Sequence, residues 1–134
     1  MEAKIKAYQE DLDLFEDELE KYEYIVSLGK SQPPIDPVFQ IDKYEIKGCQ
    51  STVWIVPSFK DGKLFFQSDS NTVIVKGLAA MVCAVFSGES PDEILRFDTA
   101  RLEALGLEEI ISPLRRNGVS SMVATIRHYA KESV

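Results

Sequence analysis

The two cysteines are the side chains of this sequence with the most distinctive chemistry. Cys49 follows Gly48 in a segment without helical pattern, between a proline-bearing connection and a β-branched run. A thiol in such a loop can be exposed, and only its thiolate attacks sulfur or binds metal. From the residues alone, Cys49 is either a reactive thiol or an inert, buried cysteine, which is the commoner fate of free cysteine.

Basic side chains elsewhere in the chain could make the Cys49 thiol more reactive. A cation close to a thiol favours the thiolate and lowers the pKa of that thiol. The candidates are Lys43, Lys47, Arg115 and Arg116. Sequence alone does not show whether the fold brings them together.

Cys83 and His128 have simpler explanations. Cys83 lies in the apolar run from Met81 to Phe86, where cysteine behaves as a small hydrophobe, so we expect a structural role. His128 is the only histidine and could pair with Cys49 as in a cysteine hydrolase. Its position near the end of the last predicted helix favours another interpretation, because a cation there interacts well with the helix dipole.

Composition excludes several classes of protein. The 134 residues are enough for one domain, which we expect to span 1–134, and the net charge is −7. This charge argues against nucleic acid and against an anionic membrane as partner. Two cysteines and one histidine do not make a four-ligand zinc site or a disulfide framework. We therefore expect no metal, and a cytoplasmic protein with reduced thiols.

No secretory signal is recognisable at the N-terminus, and the longest apolar run, 73–86, is too short to cross a bilayer. Eight acidic residues lie within 10–23, with only Lys21 to offset them. Two interpretations of this acidic stretch are open. It is either a solvated helix face or a steering patch for a basic partner.

The elements that must position these residues begin with helix. Apolar residues recur at steps of three and four from Ile5 to Val26, which predicts one long helix or two. Asp17 could cap a second helix, and Gly29 is its predicted stop.

A β-hairpin is predicted next. Thr52 to Val56 is β-branched and aromatic, and the return strand runs from Leu64 to Gln67. Asp61-Gly62 is a strong turn signal between them. Pro57 predicts that the first strand ends at an edge or a bulge.

Further helices complete the prediction. Thr72 to Ser87 is the expected central buried helix, capped by one of the three residues at 69–71. Short helices begin at Ser90-Pro91 and Asp98, and a basic turn-like piece, 114–118, precedes a last helix from about Val119 to Lys131. Helices around a small antiparallel sheet make a two-layer α+β sandwich the predicted fold class.

The segment Gly48–Val56, GCQSTVWIV, closely resembles the active-site signature of the SufE family. Other segments agree with the family in order and spacing, so that the likeness covers nearly the whole chain: 20–29, 68–71, 74–78, 112–118 and Met122. Two positions depart from the family pattern. Glu18 stands where the family often has tryptophan, and Asn71 where some members have aspartate.

The resemblance implies an α+β fold shared with IscU-type scaffold proteins. It also implies that Cys49 takes persulfide sulfur from a SufS-like cysteine desulfurase that uses pyridoxal phosphate. The chain would stimulate that enzyme and deliver sulfur to a SufBCD-like cluster-assembly complex. In the family the cysteine lies on a loop near the arginine that matches Arg115, which we expect to stabilise the thiolate or persulfide. The chain would be a carrier and activator, with no cofactor of its own, rather than a stand-alone enzyme.

Alternatives stay open at this point. The chain could be a CsdE-like relay partner of a different desulfurase, serving another sulfur-transfer pathway. It could also be a regulatory module that docks on a desulfurase without accepting sulfur, or a hydrolase using Cys49 and His128. Monomer and homodimer are both compatible with the sequence.

Overall fold

The computed structural model describes residues 1–46 and 51–133. Six α-helices, two strands and two 3₁₀ segments lie in these ranges: α1 Glu2–Asp13, α2 Glu18–Lys30, 3₁₀ Pro37–Phe39, β1 Val53–Lys60, β2 Lys63–Ser70, α3 Val73–Phe86, α4 Pro91–Arg96, 3₁₀ Thr99–Leu105, α5 Leu107–Ile110 and α6 Pro113–Glu132. The strands form an antiparallel pair against which helices pack. The predicted α+β class is confirmed.

The hairpin turn is the one that its residues predict. Lys60 pairs with Lys63, so the connection is two residues long. Asp61 has φ 54° and Gly62 has φ 78°, and positive φ at both central residues gives a turn whose twist matches the strands. Asp-Gly therefore closes the hairpin as expected.

The predicted end of β1 at Pro57 is wrong, because the strand continues to Lys60. On the side of β1 away from β2, the Ile55 N–H donates to the Tyr44 carbonyl at 3.0 Å. Backbone groups of successive residues in a strand point to opposite edges, so the nitrogen of Pro57, two residues after Ile55, lies on that same outer edge. Proline is tolerated at such an edge because the missing N–H costs no bond between β1 and β2.

Helix α3 is the centre of the core, as predicted. Eleven of its 14 residues are buried, and it packs between α2 and β2. Its first residue, Val73, follows Thr72 as N-cap, so the cap is not one of the residues 69–71.

Gly29 does not stop α2, which contradicts the prediction from sequence. The helix continues to Lys30, and Gly29 is buried against α3. A Cβ atom on Gly29 would lie 2.6 Å from the Gly77 nitrogen, and one on Gly77 would lie 2.0 Å from the Ile25 carbonyl oxygen. Both glycines are there so that the backbones of α2 and α3 can touch.

The N-terminal region is two helices joined by a turn. The Asp17 carboxylate caps α2 by accepting from the Leu19 N–H at 2.7 Å, which confirms the proposed cap. The turn resets the helical phase, and the apolar stripe is therefore interrupted. Ile5 and Leu12 are buried, whereas Leu19 is 61% exposed.

The first turn of α6 corrects the prediction of a turn-like piece at 114–118. The helix begins at Pro113, and the Ser112 hydroxyl accepts from the Arg115 N–H. Ser112-Pro113 repeats the cap-and-proline start of α4 at Ser90-Pro91, where the serine also accepts a backbone N–H. This start places Arg115 on a rigid helix instead of a loop.

The surface of α1 and α2 is strongly acidic. All eight acidic side chains within 10–23 are exposed. Exposure is expected both of a solvated face and of a steering patch. None of the helices in the described ranges has the length and apolar character needed to cross a membrane.

Candidate functional site

Cys49 and Lys47 lie outside the described residues, so the site is built from Ser51, the second residue after Cys49. Two residues that far apart in a chain have Cα atoms within about 7 Å of each other. The surroundings of Ser51 are therefore the best guide to the charges and donors available at this part of the chain.

Two elements distant in sequence meet at the Ser51 hydroxyl. The Arg115 Nη1 donates to Ser51 Oγ at 3.0 Å, and Thr72 Oγ1 donates to the same oxygen at 2.8 Å. Arg115 lies in the first turn of α6, and Thr72 is the N-cap of α3. Ser51 is thus the point at which the starts of α3 and α6 are tied together.

Thr72 serves this junction in place of capping its own helix. The Thr72 side chain makes no cap hydrogen bond to the N-terminus of α3. A threonine cap is worth about 1 kcal/mol, so its absence is a local cost. Because Thr72 is the N-cap of α3 and contacts Ser51, the positive end of the α3 dipole, which favours a nearby anion, lies beside Ser51.

The chain leaving Ser51 is fastened through Thr52. The Thr52 N–H donates to Asn71 Oδ1 at 3.2 Å, and the Thr52 carbonyl accepts from Ser70 Oγ at 2.7 Å. Asn71 acts here as an acceptor, a role that an aspartate would also fill. The departure from the family pattern at Asn71 therefore keeps the hydrogen bond to Thr52.

Asp69 fastens the proline-bearing connection to the same region. This buried carboxylate accepts from the Ile35 N–H at 3.2 Å and from the Ser70 N–H at 2.8 Å, and it lies 3.6 Å from Lys76 Nζ. Sequence reasoning assigned Asp69 only as a possible helix cap. No local signal could have found the contact with Ile35, which is 34 residues away.

The candidate cations do not all converge. Arg115 reaches Ser51, but Arg116 Nη1 lies 4.0 Å from Glu108 Oε1. Lys43 Nζ lies 5.4 Å from the ring centroid of its neighbour Tyr44. Among the three candidates that the structure describes, Arg115 is the one that contacts the end of the Cys49 segment.

Cys83 has the structural role that its sequence predicts. The residue is 4% exposed, and burial raises the pKa of its thiol to about 12, with a hydrogen bond to Ser68 acting in the opposite direction. A thiol with this pKa is almost entirely protonated at neutral pH and is a poor nucleophile.

His128 is occupied at the far end of α6. Its Nε2 lies 3.0 Å from Glu132 Oε1, one turn later on the same helix. Thirteen residues separate it from Arg115, which is about 20 Å along an α-helix. This separation from the Ser51 junction does not support a hydrolase pair with Cys49. Across the described ranges, no three His, Cys, Asp or Glu side chains are grouped so as to hold a metal ion.

Comparison with known families and proteins gives one consistent result. The model of the SufE family, described as the Fe-S metabolism associated domain, matches residues 6–130. An uncharacterized SufE-like protein of Rhizobium meliloti is 37% identical over 125 residues, which cover 90% of this chain and 87% of that protein. An uncharacterized SufE-like protein of Rhizobium etli is 34% identical over 134 residues, covering 96% and 90%.

Two further similarities extend this result. SufE-like protein 1, chloroplastic/mitochondrial, of Arabidopsis thaliana is 34% identical over 126 residues, which are 91% of this chain but only 34% of that longer protein. The solution structure of a hypothetical protein from Thermus thermophilus superposes with a TM-score of 0.77 at 21% identity, covering 96% of this chain and 94% of that one. At this identity the superposition shows a shared fold.

Proposed function

The chain belongs to the SufE family of iron–sulfur metabolism, and from this premise we propose that it is a sulfur acceptor that works at Cys49. The observation that carries the proposal is the 3.0 Å hydrogen bond from Arg115 Nη1 to Ser51 Oγ. It brings a permanent positive charge from residue 115 to the second residue after the cysteine. Cys83, the other thiol, is buried and has a raised pKa, so it is a poor candidate for this chemistry.

The proposed reaction is a thiol exchange that needs no oxidant. The Cys49 thiolate attacks the outer sulfur of a persulfide carried by the donor protein. A new sulfur–sulfur bond forms at Cys49 while the donor's sulfur–sulfur bond breaks, and its electron pair leaves with the donor thiolate. The outer sulfur keeps its proton during transfer, and loss of that proton leaves a persulfide anion on Cys49.

Arg115 would favour both anionic forms of Cys49. A guanidinium stays charged at any pH of interest, so it attracts the attacking thiolate and the persulfide anion that replaces it. The positive end of the α3 dipole beside Ser51 acts in the same direction. Anion stabilisation without a metal is the chemistry that a persulfide carrier requires.

The partners follow from this chemistry. SufE proteins work with a cysteine desulfurase, and we propose a SufS-like enzyme, with its pyridoxal phosphate, as the donor and as the enzyme that this chain stimulates. A SufBCD-like cluster-assembly complex is the proposed receiver, in the cytoplasm. The CsdE-like alternative differs in the identity of these two partners and not in the reaction at Cys49.

Intact-mass spectrometry tests the proposal. The chain is incubated with a cysteine desulfurase and cysteine, alongside the matched variants Cys49→Ser and Cys83→Ser. We expect added sulfur atoms, removable by a reducing agent, on the wild type and on Cys83→Ser but not on Cys49→Ser.

Stimulation of the desulfurase, measured in the same reactions, separates a carrier from a regulatory module. A carrier relieves the enzyme of its persulfide, so Cys49→Ser should fail to stimulate turnover. Sulfur uptake by Cys49→Ser, or full stimulation without uptake, would contradict the proposed function.

A further inference from the structure

We propose that Ser51 is a positioning residue: its hydroxyl holds the Arg115 guanidinium at the second residue after Cys49 without neutralising the positive charge. This inference rests on the proposed function, because it assigns to Ser51 a part in the sulfur transfer at Cys49. Ser51 is part of the segment that resembles the family signature, but the resemblance by itself implies no role for this residue. The positioning role is inferred from the hydrogen bonds of Ser51 with Arg115 and Thr72.

The first observation in support is that Arg115 contacts an uncharged group. Arg101 lies 3.7 Å from the Glu2 carboxylate, and Arg116 lies 4.0 Å from that of Glu108. Arg115, by contrast, has no carboxylate in ion-pair range within the described residues, and its guanidinium donates to the Ser51 hydroxyl. A hydroxyl orients a guanidinium but carries no charge, so the positive charge remains available to an anion.

Ser51 is, second, itself held in place. Thr72 Oγ1 contacts Ser51 Oγ at 2.8 Å from the N-cap of α3. The Ser51 oxygen is therefore fixed by one helix while it fixes a side chain of another. Arginine has a long side chain with many rotamers, and an acceptor that is already fixed in place limits the positions that its guanidinium occupies.

The third observation is that the nearby Ser70 hydroxyl makes different contacts, so Ser70 can serve as a control for Ser51. Its hydroxyl donates to the Thr52 carbonyl at 2.7 Å and accepts from the Thr72 N–H at 3.2 Å. Ser70 thus fastens the same stretch of backbone but makes no contact with Arg115. Loss of Ser70 loosens the chain near Cys49, whereas loss of Ser51 also releases the cation.

The test measures the pKa of the Cys49 thiol from the pH dependence of its alkylation rate. All proteins carry Cys83→Ser, so that one thiol reacts. Ser51→Ala and Arg115→Gln should each raise this pKa by about one unit, which is about tenfold less thiolate at a pH below it. The double variant should be no worse than Arg115→Gln, because Ser51 acts through Arg115. Ser51→Thr, which keeps the hydroxyl, should restore the wild-type pKa, and Ser70→Ala should leave it unchanged.

Several results would overturn the assignment. A wild-type pKa in Ser51→Ala or in Arg115→Gln, additive shifts in the double variant, or an equal shift in Ser70→Ala would each do so. Thermal unfolding of every variant shows whether the fold is kept, and Ser51→Thr supplies a readout if Ser51→Ala does not fold. Thiol pKa needs no desulfurase, so absence of sulfur uptake in the wild type, with the pKa coupling intact, would overturn the proposed function separately.

Discussion

Replacement of Gly77 by alanine tests the contact on which the α2–α3 pair is built. The added Cβ would lie 2.0 Å from the Ile25 carbonyl oxygen, whereas real Cβ contacts are essentially never shorter than 3.0 Å. One backbone must therefore withdraw from the other by about 1 Å. No side chain can rotate away to relieve the overlap, because the atom contacted is a backbone oxygen.

The cost follows from the packing that this withdrawal loosens. The fully buried Ile25 makes roughly 50 contacts of about 0.1 kcal/mol, and a gap near 1 Å forfeits a quarter to a half of each, or about 1–2.5 kcal/mol. Neighbouring contacts at Gly29 add to this, while alanine gains about 1 kcal/mol over glycine in helix propensity. We expect a net loss of about 1 kcal/mol, which lowers Tm by about 3–6 °C for a chain of this size.

Urea unfolding followed by circular dichroism, with thermal melts in parallel, measures the change. Two further glycine-to-alanine variants are matched controls. Gly29→Ala, whose Cβ would lie 2.6 Å from the Gly77 nitrogen, should cost less than Gly77→Ala. Gly62→Ala meets no atom within 4 Å and should show only the cost of positive φ, about 1 kcal/mol. A Gly77→Ala protein as stable as the wild type would refute the reasoning, because propensity would then outweigh the close approach.

Three other predictions concern a helix cap, a single hydrogen bond and a buried thiol. Asp17→Ala removes the 2.7 Å cap of the Leu19 N–H and should lower the free energy of unfolding by about 1 kcal/mol, with no loss if the cap is unimportant. Tyr129→Phe keeps the ring but removes the 3.0 Å bond from its hydroxyl to the Ile55 carbonyl, so urea unfolding should again show a loss of about 1 kcal/mol; a more stable Phe variant would contradict it. Burial holds the pKa of Cys83 near 12, above its ordinary value near 9, so the folded state loses stability as pH rises between these values. The pH dependence of unfolding above pH 9 should therefore be shallower in Cys83→Ser, and identical slopes would contradict the burial argument.

Local signals located the parts of the fold whose causes are local. Asp61-Gly62 closes a hairpin because both residues tolerate positive φ, and Ser90-Pro91 starts a helix because serine caps while proline needs no N–H. The burial of Cys83 followed in the same way from the unbroken apolar run from Met81 to Phe86 within α3. In each case the structure is decided by residues within a few positions of one another.

Predictions failed in several places, and at Gly29 the cause is a distant element. Gly29 resembles a helix stop, but it is a contact with Gly77 on another helix. The stretch 114–118 resembles a turn, yet it continues α6 from its cap at Ser112. Leu19 continues an apolar stripe in sequence, but the turn before α2 rotates it to the surface.

The sequence by itself determined that this is an acidic α+β protein with two thiols, and that Cys49 is the one within the segment that resembles the family signature. It could name Arg115 as a partner of that segment only through the likeness to a family, because 64 residues separate Arg115 from Ser51. Tertiary structure alone decided that Arg115, and not Arg116 or Lys43, reaches Ser51, and that Thr72 holds the other side of the same oxygen. The physical reason is that the packing of α3 and α6 sets where their first turns meet, and no local pattern encodes that meeting.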